Sequence, residues 1–165
     1  MRYDIILVAW TVALTALFYI TSHAKADDYA IRGGAAIIDG NPSGASKYFG
    51  LRHETGESIA VAAEVGGYVD NKGEGRVGST LFKLGMGVKP GPEVGVFAKM
   101  FVGPCVISST DILLGGHYQF CSDLALGVRD KETFVSAGYM HISSAGLSRP
   151  NKGRDFIILE MGVRF

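Results

Sequence analysis

The final ten residues of the chain alternate strictly between two kinds of side chain. One face carries apolar residues only: Ile157, Leu159, Met161, Val163 and Phe165. The other face mixes apolar, small and charged residues: Phe156, Ile158, Glu160, Gly162 and Arg164. A repeat of two residues is that of a β-strand, and a strand that stops on an aromatic residue is typical of a membrane-spanning barrel. The segment therefore restricts the fold to a sheet whose apolar face is covered by lipid or by a protein core.

The same alternation recurs upstream and divides the chain into eight predicted strands. They are Tyr29–Ile38, Lys47–Glu54, Ser58–Val69, Arg76–Val88, Glu93–Val102, Ile112–Val128, Thr133–Ser143 and Asp155–Phe165. The separating segments are rich in Gly, Pro, Asn and Asp, which favour turns. Eight strands of about ten residues match the smallest outer-membrane barrel pattern. We predict an all-β fold, a single eight-stranded antiparallel transmembrane β-barrel over residues 27–165.

The mixed face carries single charges in strand after strand, and these charges bear on the choice between a soluble and a membrane barrel. They are Arg32, Arg52, Glu64, Lys83, Lys99, Asp123, Glu160 and Arg164. A soluble barrel would bury its apolar face and leave the charges in water, whereas a membrane barrel turns the apolar face to lipid and encloses the charges in a polar lumen. Periodicity alone does not choose, but the Gly-rich lumen face and the terminal Phe165 favour the membrane.

Residues 1–26 have the pattern of a secretory signal peptide. Arg2 opens a short basic region, residues 5–20 are apolar, and Ala24 and Ala26 are small residues suited to a cleavage site. An uncleaved anchor helix is the alternative, although the apolar stretch is short for one. Export through this segment predicts a location in the cell outer membrane. The 16 basic and 16 acidic side chains balance, so charge does not indicate a nucleic-acid partner.

Two cysteines, Cys105 and Cys121, could form one disulfide in an exported protein. The predicted strands place Cys105 near a loop and Cys121 inside a strand on the luminal face. We therefore expect two buried free thiols.

Three residues near the last two strands form a candidate catalytic group. His141 and Ser143 are two apart on one strand, so they share a face. Asp155 begins the antiparallel partner strand, in the lipid-facing register of Ile157. Cross-strand neighbours lie roughly 4.5–5.5 Å apart, so the side chains can meet. Ser143 would be the nucleophile, His141 its general base and Asp155 the group that orients the imidazole.

Over residues 141–155 the sequence resembles the lipid A 3-O-deacylases (PagL family) of outer membranes. That family shows His-x-Ser-Asn-Ala-Gly, then Pro-Asn-x-Gly and an acidic residue. The corresponding segments here are His-Ile-Ser-Ser-Ala-Gly at 141–146, Pro-Asn-Lys-Gly at 150–153, and Asp155. Weaker similarity extends back over residues 114–120. The resemblance implies an ester hydrolase that removes the 3-position acyl chain of lipid A, with the Ser/His/acid triad His141, Ser143 and Asp155.

The chain departs from the family pattern at two positions. The usual glutamate is Asp155, one methylene shorter, and the asparagine after the nucleophile is Ser144. The resemblance implies an oxyanion or supporting role for Ser144, Ala145, Gly146 and Asn151. If the family's asparagine side chain helps the oxyanion hole, Ser144 must supply a hydroxyl donor, or backbone N–H groups near Ala145 and Gly146 must suffice.

The loop between the last two strands is basic, with Arg149, Lys152 and Arg154. Because the number of strands is even, both termini are expected on the periplasmic side and this loop is expected to be extracellular. There these residues could bind substrate phosphates, or the loop could simply be basic and solvated. The expected partners are lipid A (lipopolysaccharide) and outer-membrane lipid. We expect no nucleic acid, no cofactor and no metal. The sequence leaves open whether the protein forms a homodimer. The alternatives are a non-enzymatic barrel with a structural or interaction role, and an acyl transferase, for which we find no donor pocket.

Overall fold

A computed structural model of the protein describes residues 27–38, 46–72, 75–110 and 113–165. The expected signal peptide, residues 1–26, lies outside these ranges. In the part of the chain that the structure describes, no helix is long and apolar enough to cross a membrane.

Eight antiparallel strands form a closed barrel, as the alternation predicts. They are β1 (Asp27–Ile38), β2 (Lys47–Thr55), β3 (Ile59–Lys72), β4 (Gly75–Val88), β5 (Gly95–Ile107), β6 (Tyr118–Arg129), β7 (Thr133–Ser143) and β8 (Arg154–Arg164). Each strand pairs with its neighbour in sequence, and β8 closes the barrel on β1. Backbone hydrogen bonds join Asp27, the first described residue, to Phe165 at one end of the barrel, here called the terminal end. The opposite end, which carries residues 144–153, is called the loop end.

The two faces of each strand differ in exposure as the alternation predicts. On β8, Leu159 and Met161 are 64% and 62% exposed, while Phe156 and Ile158 point into the lumen and are buried. A closed barrel of this size has an interior just wide enough to be filled by side chains. The outward residues therefore form a continuous apolar wall around a packed lumen.

The lumen is filled by paired charges. All the predicted luminal charges except Arg164 are buried. Arg32 lies 3.1 Å from both Asp123 and Glu160, and Arg52 lies 2.8 Å from Asp123. The same network continues through Glu54, which lies 2.7 Å from Arg52 and 2.8 Å from Nζ of Lys99. Because a buried charge is tolerated only when it is paired and hydrogen-bonded, these contacts explain how the mixed face can be enclosed.

The structure corrects the prediction for the cysteines. Cys105 and Cys121 form a disulfide, with Cα atoms 6.0 Å apart and both side chains buried. The predicted strand ended at Val102, and it is followed by Gly103 and Pro104, residue types that usually interrupt a strand. Instead β5 continues to Ile107 and pairs Cys105 with Gln119. Cys105 thus lies diagonal to Cys121 on the luminal face, which is within the reach of a disulfide.

The start of the sixth strand also differs from the prediction. β6 begins at Tyr118, not at Ile112, and Leu114 lies in the preceding loop with its side chain fully buried. It packs in an apolar cluster with the disulfide, Ile142 and Phe156. Leu113 and Leu114 of the loop between β5 and β6 therefore pack into the lumen at the loop end.

Candidate active site

His141 and Asp155 form a directly opposed pair in the β7–β8 ladder. The imidazole Nδ1 lies 2.6 Å from the carboxylate Oδ1. Both side chains are on the outward, apolar wall of the barrel and are partly exposed, the histidine at 37% and the aspartate at 23%. With the carboxylate ionised, Nδ1 carries the hydrogen, so the unbonded Nε2 can accept a proton.

Ser143 is the last residue of β7 and lies on the same outward face as His141. It is half-buried and paired in register with Phe120 on β6. Among the described residues its hydroxyl has no hydrogen-bond partner. The structure therefore brings His141 and Asp155 into contact and aligns Ser143 beside them without a hydrogen bond to the ring.

Ser144 organises the loop that follows β7. Its side chain is fully buried, and its hydroxyl donates to the Ser148 carbonyl at 3.1 Å and accepts the Ser148 N–H at 3.3 Å. Its own backbone N–H donates to Oδ1 of Asn151 at 2.8 Å. Both donors of Ser144 are thus used inside the loop.

The next two residues, Ala145 and Gly146, form a tight turn closed by the Leu147 N–H on the Ser144 carbonyl. Their φ angles, 50° and 83°, are both positive, as in a type I′ turn. Neither backbone N–H has a hydrogen-bond partner in the described ranges. These two amides follow the serine closely and are available as donors to a developing negative charge.

A short segment of the β5–β6 loop is hydrogen-bonded to residues 144–153, here called the site loop. Leu114 and Asn151 form an isolated β-bridge, the Gly115 N–H donates to the Pro150 carbonyl at 2.8 Å, and the Lys152 N–H donates to the Leu113 carbonyl at 2.9 Å. We call residues 113–115 the loop strap. Leu114 also packs in the apolar cluster that contains the disulfide, so the loop strap contacts both the luminal core and the site loop.

Sequence reasoning missed two residues that contact the pair. The Tyr139 hydroxyl donates to Oδ1 of Asp155, and its position two residues before His141 on the same face could have signalled this. Gly153 has a φ of 77°, and a Cβ built on it would lie 2.8 Å from Cε1 of His141. The imidazole therefore packs against a position that only glycine suits, but the Pro-Asn-x-Gly pattern alone does not reveal this contact.

The three basic residues of the loop divide between two environments. Arg149 and Lys152 are exposed. Arg154 is buried on the luminal face, where its guanidinium donates to the Ser46 hydroxyl at 2.8 Å and lies 4.7 Å from the centre of the Tyr68 ring. This placement corrects the grouping of Arg154 with the phosphate-binding residues, because it occupies the face opposite to Asp155. Among the described residues, no cluster of His, Cys, Asp or Glu has the arrangement of a metal site.

The fold and the site together define a class: a small outer-membrane β-barrel with a histidine–carboxylate pair on its apolar outer wall. The family described as Lipid A 3-O-deacylase (PagL) matches residues 48–164. The chain therefore belongs to the lipid A 3-O-deacylase family, and it is an outer-membrane protein.

Solved structures show the same fold. The outer membrane enzyme PagL is 20% identical, with a TM-score of 0.62 over 82% of this chain and 98% of that one. The N-terminal β-barrel domain of Pseudomonas aeruginosa OprF is 16% identical, with a TM-score of 0.63 over 86% and 98%. Ail, the attachment invasion locus protein of Yersinia pestis, is 11% identical, with a TM-score of 0.58 over 86% and 99%. Comparison with individual curated proteins gives no match.

Proposed function

We propose that the protein is a serine esterase that hydrolyses the ester-linked 3-position acyl chain of lipid A in the outer leaflet of the outer membrane. Membership of the lipid A 3-O-deacylase family supports the reaction. The observation that carries the proposal for this chain is the His141–Asp155 contact on the outward wall. Titratable side chains that face lipid are costly and usually functional, and a site opening sideways suits a substrate that lies in the membrane.

In this proposal the reaction starts at Ser143. Nε2 of His141 takes the hydroxyl proton as the serine oxygen attacks the ester carbonyl, and Asp155 stabilises the resulting imidazolium through Nδ1–H. The carbonyl oxygen gains the negative charge, which the N–H groups of Ala145 and Gly146 stabilise. Collapse breaks the bond to the sugar 3-oxygen, which His141 protonates. Water then hydrolyses the acyl-serine ester by the same proton transfers and releases the fatty acid.

Asn151 and Ser144 act as supports in this scheme. Asn151 accepts the Ser144 N–H and thereby fixes the residue next to the nucleophile. The Ser144 hydroxyl binds Ser148, so we assign the oxyanion donors to the following two amides and not to this side chain. Arg149 and Lys152, exposed on the same loop, would pair with the phosphates of lipid A at the membrane surface.

The decisive experiment compares lipid A from cells that express the wild type, Ser143→Ala or Ser58→Ala. Ser58 is exposed in the β2–β3 turn and serves as the matched control. Mass spectrometry should show loss of one 3-linked acyl chain with the wild type and with Ser58→Ala, but not with Ser143→Ala. Heat-modifiable gel mobility verifies that each barrel is folded. Lipid A that keeps its 3-linked chain with the wild type as well as with folded Ser143→Ala would leave the non-enzymatic barrel, and loss of the chain with both proteins would overturn the role of Ser143 as nucleophile.

A further inference from the structure

Tyr139 lies on the outward face of β7, two residues before His141, and is 39% exposed. Its hydroxyl donates to Oδ1 of Asp155. The same oxygen lies 2.6 Å from Nδ1 of His141. Two donors on one strand therefore converge on a single carboxylate oxygen of the neighbouring strand.

We propose that Tyr139 is a positioning residue that holds the Asp155 carboxylate turned toward His141, an inference that rests on the proposed function. A carboxylate can rotate about its last side-chain bond, and one hydrogen bond does not fix it. Within the described residues, the side chains that hydrogen-bond to Asp155 are His141 and Tyr139. The tyrosine is thus the contact that keeps the acid in place while the histidine changes its protonation state.

The strand register explains how the tyrosine reaches the acid. His141 is directly opposite Asp155, and Tyr139 is directly opposite Ile157, so Tyr139 and Asp155 are diagonal neighbours. Diagonal partners are separated by about 7–8 Å, which an aromatic side chain spans. Both side chains lie on the outward wall among apolar neighbours, so the phenolic hydroxyl supplies the carboxylate with a hydrogen bond that those neighbours cannot give.

Tyrosines are also common in the aromatic belts of membrane proteins, where the hydroxyl faces the headgroups. Tyr118 fits that description: it is 72% exposed on the outward face of β6, and its hydroxyl has no partner within the described residues. The Tyr139 hydroxyl differs because it is directed to a carboxylate. Tyr118 therefore provides a matched control for the loss of one phenolic hydroxyl near the same end of the barrel.

The test compares Tyr139→Phe with Tyr118→Phe in a deacylation assay on lipid A in detergent micelles. We expect Tyr139→Phe to lower kcat about tenfold, the effect of one hydrogen bond to a charged group, with KM unchanged. Tyr118→Phe should retain both constants. Replacing Tyr139 with 4-aminophenylalanine, which keeps a donor at the same position, should recover most of kcat. Unchanged kcat in Tyr139→Phe, or a loss that the amino analogue does not recover, would overturn the positioning role.

A second measurement separates this inference from the proposed function. The ¹³Cζ resonance of Tyr139 in the labelled barrel reports its hydrogen bond and needs no substrate. It should shift in Asp155→Ala, while the Tyr118 resonance stays in place. An unshifted Tyr139 resonance would overturn the contact. If the resonance shifts in Asp155→Ala but the wild type releases no acyl chain, the esterase and the positioning role are both overturned. The contact between Tyr139 and Asp155 would still stand.

Discussion

His141 and Asp155 lie directly opposite each other in the β7–β8 ladder, with Nδ1 of the imidazole 2.6 Å from Oδ1 of the carboxylate. Direct cross-strand partners have the closest Cβ atoms in an antiparallel sheet. A short acid therefore reaches the ring without distortion, although the resemblance leads one to expect glutamate at this position. The pair depends on strand register, and a slip of one residue would turn one partner into the lumen.

The first prediction concerns the charge on Asp155. Asp155→Asn keeps the size of the side chain but removes the negative charge that stabilises an imidazolium, and its amide can favour the wrong tautomer of His141. We expect kcat for deacylation to fall by a factor on the order of 10³ or more, with little change in KM. Glu57→Gln removes a carboxylate from an exposed turn and should keep the wild-type rate. A folded Asp155→Asn barrel with near wild-type kcat would contradict the assigned role.

The fold could be predicted from the sequence because the alternation of every strand is a local signal. Errors arose where a local signal conflicted with long-range pairing. Gly103 and Pro104 are poor strand residues, yet pairing with β6 carries β5 on to Ile107. Cys105 therefore lies in a strand and not near a loop, and the disulfide was missed because the predicted strand stopped at Val102.

The candidate site was predictable only in part, again because of the range of the contacts. Face parity placed His141 and Asp155 together, since both positions follow from strand period and pairing. The loop strap and the packing of Gly153 on the imidazole depend on contacts between distant or irregular segments, and no periodic pattern encodes them. Tyr139 was overlooked because a tyrosine on the outer face of a membrane strand is common.

The second prediction tests the contact between Gly153 and His141. Gly153→Ala would place a methyl group 2.8 Å from Cε1 of the imidazole at a residue with positive φ, so the ring must move away from its position opposite Asp155. We expect kcat to fall about tenfold to a hundredfold, because small displacements of catalytic groups are costly.

The control for this prediction is Gly95→Ala. Gly95 also has a positive φ, 124°, but its added Cβ would meet only Pro92 Cγ at an ordinary 3.4 Å. This variant also strains the backbone, but near the terminal end, and should retain kcat. Equal losses of kcat in the two variants would show that strain, and not the contact with His141, is responsible.

The third prediction concerns the disulfide. Cys105 and Cys121 are 16 residues apart, and a cross-link closing a loop of that size stabilises a protein by about 3 kcal/mol in the chain-entropy model. Replacing both cysteines with alanine should lower the free energy of unfolding by about that amount, measured by urea titration in lipid vesicles. Wild-type barrel treated with dithiothreitol should show a similar loss without any substitution. Equal midpoints for oxidised and reduced wild type would contradict the prediction.

The fourth prediction is a pH dependence at the turn between β6 and β7. Asp130 accepts the Thr133 and Glu132 N–H groups at 2.6 and 2.8 Å and the Thr133 hydroxyl at 3.0 Å, and these bonds, led by that of the Thr133 N–H, lower the pKa of its carboxyl. A lowered pKa means that the turn is stabilised above the ordinary aspartate value and loses this stabilisation as the pH falls below about 4. Hydrogen exchange at the Thr133 amide, corrected for the intrinsic effect of pH, should therefore accelerate in acid. Asp130→Asn, which keeps an acceptor oxygen but cannot ionise, should lose this acid dependence, and an equal dependence in both proteins would refute the role of the charge.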